Sequence, residues 1–143
     1  MFDEVADTEQ HRYLYIETRV QCSTVGLKQK EVSEINFANV SIDALDNKNL
    51  RVLNIGLGCG FTLHEIVKHP NVKAVDVVEI NPVMPEAAKY FSAFTDHVLE
   101  NPKVKIIFDD GYKYLLGTDK TYDLIIMDIE HPSVIYSSNL YTL

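Results

Sequence analysis

Residues 51–65 read RVLNIGLGCGFTLHE, and the succession of residue types in this stretch decides the fold. Val52, Leu53 and Ile55 make a short apolar run suited to a strand buried on both faces. Gly56, Gly58 and Gly60 follow at once. Leu63, Ile66 and Val67 then recur at helical spacing, up to the stop at Pro70. Strand, glycine turn and helix is the setting a nucleotide loop needs. The glycines let the backbone turn tightly and let a ligand approach it, and the helix N-terminus supplies unpaired N–H groups and partial positive charge. Any tight strand-to-helix turn in an α/β domain could want the same glycines, so the downstream sequence has to decide.

Downstream the pattern repeats. Residues 74–80, AVDVVEI, predict a second strand. Asn81 and Pro82 then suit a helix cap and first turn, with the helix running from about Pro82 to Leu99, a break near Asp96 and a stop at Pro102. Residues 104–108, VKIIF, predict a third strand, and Asp109-Asp110-Gly111 turns into a short helix over 112–116. Residues 124–129, LIIMDI, predict a fourth. Strands alternating with helices imply a parallel sheet with right-handed crossovers. Doubly wound nucleotide domains carry more than four such strands, so the expected fold is an α/β Rossmann-like sheet cut short after its fourth core strand.

Upstream, residues 11–27 are rich in strand formers, with Leu14 and Ile16 alternating with Tyr13 and Tyr15. They predict one or two short antiparallel strands. Residues 31–46 place Val32, Ile35, Phe37, Val40, Ile42 and Leu45 on one helical stripe. The expected organisation is therefore an N-terminal unit, 1–48, of strands and a lead-in helix, followed by a nucleoside-binding unit, 49–143.

Composition narrows the partners. The chain has 143 residues, 46% of them hydrophobic, enough for one domain with a real core. The formal net charge is −8. Nine acids face five bases in the first 50 residues and twelve face eight in the rest, so no basic surface awaits nucleic acid. A cationic substrate suits that field. No apolar run reaches membrane-spanning length, and the acidic N-terminus does not read as a signal peptide. Two cysteines, Cys22 and Cys59, without a C-x-x-C, fit free thiols in a cytoplasmic protein.

Three acids fall at strand ends, where open parallel sheets bind ligands. Glu79 closes the second strand, at the spacing from the glycines where an acid accepts hydrogen bonds from ribose hydroxyls. Asp110 follows the third, and Asp128 nearly closes the fourth, with Glu130 and His131 behind it. A plain helix cap is the lesser alternative for each. His64 and His69 lie on different helix faces at five-residue spacing and read as solvated, so no metal is expected. Met84, Tyr90, Phe91 and Phe94 read as helix core. Tyr136 and Tyr141 could line a substrate entrance or pack in a loop.

The wording VLNIGLGCGFTLHEIVKHPNVKAVDVVEINP, then KVKIIFDDGYKYL, then YDLIIMDIEHP and LYT resembles the spermidine/spermine synthase (polyamine aminopropyltransferase) family. That family reads VLIIGGGDGG.LREVLKH, VVEIDP, V.GDG..FL, YDVII.DSSDP and a closing LYT or LFT. The resemblance covers about Asn49 to Thr142 and implies the AdoMet-dependent methyltransferase fold. It implies that Gly56, Gly58 and Gly60 shape the loop under a nucleoside sulfonium, that Glu79 holds the ribose, and that Asp110 with Gly111 meets the adenine. Asp128 would act on the attacking amine.

The departures fall on the amine side. Cys59 stands where the family has the Asp that anchors the aminopropyl ammonium, and His131 stands at the second Asp of DSSDP. Asn81 replaces an Asp, and the family's Tyr-His-Glu segment is reduced to Val32-Ser33-Glu34. The resemblance thus implies a transferase binding S-adenosylmethionine (AdoMet), decarboxylated AdoMet or methylthioadenosine, with an amine acceptor and a homodimer as a candidate assembly. Cys59, His131, Tyr136 and Tyr141 are the weaker substrate candidates. A methyltransferase on an unknown substrate and a non-catalytic nucleoside-binding or oligomerisation module are the alternatives.

Overall fold

The computed structural model describes residues 4–7, 11–16, 19–24 and 33–128. In chain order these form β1 (Glu4–Asp7), β2 (Arg12–Ile16), β3 (Arg19–Ser23), α1 (Ser33–Asp43), β4 (Leu50–Ile55), α2 (Phe61–Lys68), β5 (Val72–Glu79), α3 (Met84–Lys89), β6 (Val104–Phe108), α4 (Gly111–Gly117) and β7 (Leu124–Met127). Single 3-10 turns stand at Ser92–Phe94 and Val98–Glu100.

The four later strands make one parallel sheet in the order β6-β5-β4-β7. The glycine strand β4 is therefore central, and the chain reverses its winding on either side of it. Such a reversal opens a crevice at the carboxyl ends of the strands. The register sorts side chains onto two faces. Val52, Val75, Val77 and Ile126 enter a core with Ile42 of α1, Leu63 and Ile66 of α2, and Met84 and Ala87 of α3. Leu53, Ile55 and Val78 face the other way, against Tyr114 and Leu115 of α4.

β1, β2 and β3 form a separate antiparallel sheet. Its fully buried Leu14 joins the first core, so the N-terminal sheet packs on the parallel-sheet unit. The reading of residues 11–27 as antiparallel strands holds over Arg12–Ile16 and Arg19–Ser23, while 17–18 and 25–27 lie outside the described residues; β1 was not foreseen, because four residues of EVAD carry little apolar signal.

Three further differences have physical causes. On α1, Phe37 and Val40 are 64% and 69% exposed, while Ala38 and Ile42, four residues apart on one face, are buried; the apolar stripe was too broad for one helix face to bury. The long helix over 82–99 is instead α3 plus two short turns. Asn81 caps a turn ahead of it, accepting from the Val83 N–H at 3.0 Å. The chain then bends at Asp96 and His97, whose φ values of 49° and 53° are left-handed. Phe91 and Met84 are core as read, but Tyr90 and Phe94 are exposed.

The cysteines require a correction. Cys22 of β3 and Cys59 of the glycine loop are disulfide-bonded, with Cα atoms 6.3 Å apart. The free-thiol reading failed because it weighed spacing in sequence, and these two are 37 residues apart. No helix among the described residues is long and apolar enough to cross a membrane.

Candidate functional site

The loop between β4 and α2 is shaped by three left-handed glycines, Gly56, Gly58 and Gly60, with φ of 91°, 54° and 87°. Side chains resist that region, which is why this turn takes glycine. The Gly56 N–H donates to the Val78 carbonyl at 2.8 Å, fixing the loop entry against β5. Asn54, fully buried on β4, donates from Nδ2 to the Gly56 carbonyl at 3.2 Å. Its Oδ1 has no partner among the described residues. Sequence reasoning passed over Asn54 because it sits inside an otherwise apolar run.

Glu79 is the hinge of the site. It is buried at the end of β5. One carboxylate oxygen accepts the Leu57 N–H at 2.8 Å and the other accepts the Asn81 N–H at 2.8 Å. The acid thus locks the glycine loop to the start of the following turn. Each carboxylate oxygen still has a second lone pair, so the group fits a diol that offers two O–H donors. Ile80, next along, is 63% exposed and sets an apolar surface beside it.

Asp110 caps α4. Its Oδ1 accepts from the Tyr112 N–H at 2.8 Å and the Lys113 N–H at 3.1 Å. Oδ2 takes no part in that cap. Gly111 is the first residue of that helix and is buried. Asp128 follows β7 directly, its N–H donating to the Ile55 carbonyl at 2.8 Å. That bond places Asp128 beside the end of β4, where the glycine loop begins. Glu79, Asp110 and Asp128 therefore share the carboxyl edge of one sheet, on strands adjacent to one another or to β4.

The other candidates separate. Cys59 is 3% exposed and bonded to Cys22, so its sulfur offers neither charge nor a free thiol to a ligand. His131, Tyr136 and Tyr141 lie outside the described residues. His64 and His69 are not solvated as read: His64 Nε2 meets Asp96 at 2.9 Å, and His69 Nε2 meets the Asn39 oxygen at 2.8 Å. The His64 hydrogen bond holds the exposed Asp96 carboxyl below its ordinary range. Among the described residues, no group of three or more His, Cys, Asp or Glu gathers as a metal site.

Away from the crevice, Asp76 in mid-β5 accepts from Lys120 Nζ at 2.8 Å and from the Tyr122 hydroxyl at 2.7 Å. Burial pushes this carboxyl up, but the Lys120 and Tyr122 hydrogen bonds outweigh it and hold it below the usual range. Tyr122 is driven up by burial and by its bonds to Tyr114 and Asp76. This network ties the α4–β7 connection to the sheet.

Comparison with known proteins agrees with this architecture. The family described as the spermine/spermidine synthase domain matches residues 35–143. A polyamine aminopropyltransferase of Sulfurisphaera tokodaii is 36% identical over 87 residues, covering 60% of this chain and 29% of that protein. One from Methanocaldococcus jannaschii is 43% identical over 81 residues, covering 57% and 28%. Among solved structures, a spermidine synthase in complex with the transition-state analogue AdoDATO superposes with a TM-score of 0.74 at 21% identity, over 98% of this chain and 50% of that one. Human methyltransferase-like protein 13, in complex with SAH, superposes at 0.56 and 23% identity, over 77% of this chain and 58% of that one. This chain thus spans less than a third of the two curated relatives and about half of the solved synthase. The match over residues 35–143, with a four-stranded parallel sheet of the methyltransferase type beneath it, makes this chain a member of the spermine/spermidine synthase family.

Proposed function

We propose that this chain provides the nucleoside-binding half of an aminopropyl transfer. A sulfonium nucleoside, decarboxylated AdoMet, lies at the carboxyl edge of the sheet, with Glu79 accepting from the ribose hydroxyls. Ile80 offers its exposed side chain to the base, and Asp110 faces the adenine amino group through Oδ2. The observation that carries this reading is the Glu79 carboxylate. Two backbone amides fix it at the mouth of the glycine loop, and it keeps acceptor capacity for a diol.

The chemistry asks little more of the protein than position. The acceptor amine must be neutral, because a protonated amine has no lone pair. Asp128 takes that proton or holds the amine in place. The nitrogen then attacks the carbon bound to sulfur, the C–S bond breaks, and its electron pair returns to sulfur as methylthioadenosine leaves. Holding nitrogen, carbon and sulfur in line supplies much of the rate.

Methyl transfer from AdoMet is the second reading, and one observation favours it. Residue 59 is a buried, bonded cysteine, so this position presents no carboxylate to the ammonium of an aminopropyl group. Calorimetry with AdoMet, decarboxylated AdoMet and methylthioadenosine separates the readings. Tighter binding of decarboxylated AdoMet supports aminopropyl transfer, and preference for AdoMet supports methyl transfer. Silence from all three leaves a non-catalytic module. In a catalytic chain, Asp128→Asn is expected to leave nucleoside affinity within about twofold while turnover falls by about a hundredfold or more. Full turnover in that variant removes Asp128 from the proton transfer.

A further inference from the structure

The Cys22–Cys59 disulfide joins β3 to the glycine loop across 37 residues of sequence. Cys22 lies on β3 and pairs in register with Leu14, the buried anchor of the N-terminal sheet. Cys59 lies between Gly58 and Gly60 in the loop that the proposed nucleoside meets. Among the described residues, the loop's hydrogen bonds to its surroundings sit at its two ends. Gly56 and Leu57 are bonded to β5 at the entry, through the Val78 carbonyl and Glu79, and the Gly60 carbonyl accepts the His64 N–H of α2 at 2.9 Å. A Cβ placed on Gly58 would meet nothing within 4 Å. Between those ends, the sulfur bridge is the covalent tie from the loop to the N-terminal sheet.

We propose that this pair is a thiol–disulfide switch on nucleoside binding: oxidised, it clamps the glycine loop to the N-terminal sheet, and reduced, it releases it. The proposal rests on the reading of the loop as a nucleoside site. Cys22 is half-buried and Cys59 is buried, so an incoming thiolate reaches the Cys22 sulfur first. A dithiol attacks Sγ of Cys22 and expels Cys59 as thiolate, which takes a proton. The reductant's second thiol then displaces Cys22 and closes its own disulfide. Two electrons and two protons pass from the dithiol to the pair. A loop that binds better when clamped must, by linkage, make its bound form harder to reduce by the same factor.

The test uses dithiothreitol as the dithiol and methylthioadenosine as the ligand. The chain is poised at a series of reduced-to-oxidised dithiothreitol ratios, and thiols are counted by alkylation and mass spectrometry. Affinity is measured by calorimetry on the fully oxidised and fully reduced forms. The expected result is at least about fivefold tighter binding by the oxidised form. Saturating nucleoside should shift the reduction equilibrium by that same factor. Cys22→Ala, which leaves the loop sequence intact, should bind like the reduced chain and ignore dithiothreitol. Far-UV circular dichroism on all three forms separates loop release from unfolding. Equal affinity in both redox forms, or two free thiols under fully oxidising ratios, overturns the switch and spares the nucleoside reading. No binding by either form removes the nucleoside reading, and the switch falls with it.

Discussion

At the scale of single residues, Glu79 holds the glycine loop and, in the proposed function, accepts from a ribose, and substitution should separate the two roles. Glutamine keeps the shape but has one oxygen, so one of the Leu57 and Asn81 amides would face an NH2 group instead of an acceptor. A buried donor left unmade costs about 1–3 kcal/mol. Glu79→Gln should therefore lower unfolding free energy by roughly that amount in urea titration, with no ligand present. It should weaken methylthioadenosine binding in addition. An unchanged urea midpoint would mean that the carboxylate does not hold the loop. Gly60 gives a second residue-scale prediction. At φ 87° a Cβ is strained, and it would meet Val98 Cγ1 at 3.2 Å. Gly58 has open space at a φ of 54°, so it carries the backbone penalty alone. Gly60→Ala should thus destabilise more than Gly58→Ala, which should cost about 1–2 kcal/mol. Equal losses would remove the Val98 contact as a constraint.

At the scale of elements, the glycine loop, β4, α2 and the alternation to β7 were legible because each carries a local signal: an apolar run, a glycine turn or a 3.6-residue period. β6 was read to the residue. What the sequence hid was set by contacts between elements. The face α1 buries depends on α2 and the sheet beneath it. The end of α3 depends on the left-handed residues Asp96 and His97, with Asp96 bonded to His64 on another helix. The Asp76 cluster was invisible for the same reason, since Lys120 and Tyr122 lie 44 and 46 residues away. Its consequence is a pH dependence. Asp76 titrates below its ordinary range in the folded chain. Its stabilisation is thus complete above the ordinary carboxylate pKa and is lost as pH falls through the lower, folded value. Acid titration should show Asp76→Asn less stable than the parent at pH 7, with the gap closing below about pH 4. A gap that is constant with pH would mean that the cluster acts through packing alone.

At the scale of the whole molecule, two sheets share a core through Leu14 and a covalent link through sulfur. The gathering of Glu79, Asp110 and Asp128 at one edge was readable ahead of the structure because parallel topology sends every strand end to one side. The disulfide was not, because nothing in the spacing of Cys22 and Cys59 reports that β3 comes back over the loop. Its energetic effect can be predicted from that separation, independently of any ligand. A bridge across 37 residues removes unfolded-state freedom worth about 4 kcal/mol in the chain-entropy account. Reduction of the wild-type chain should therefore lower its unfolding free energy by about 3–4 kcal/mol, near neutral pH and without nucleoside. For a chain of this size that corresponds to a fall in Tm of roughly 10 °C. Cys22→Ala should show the lower Tm already and should not respond to dithiothreitol. Scanning calorimetry on oxidised, reduced and variant chains decides the matter. A reduced chain that melts with the oxidised one would mean that packing around Leu14 and the Arg12–Tyr90 hydrogen bond hold the N-terminal sheet in place, and that the bridge constrains an unfolded state already compact enough to keep the two cysteines close.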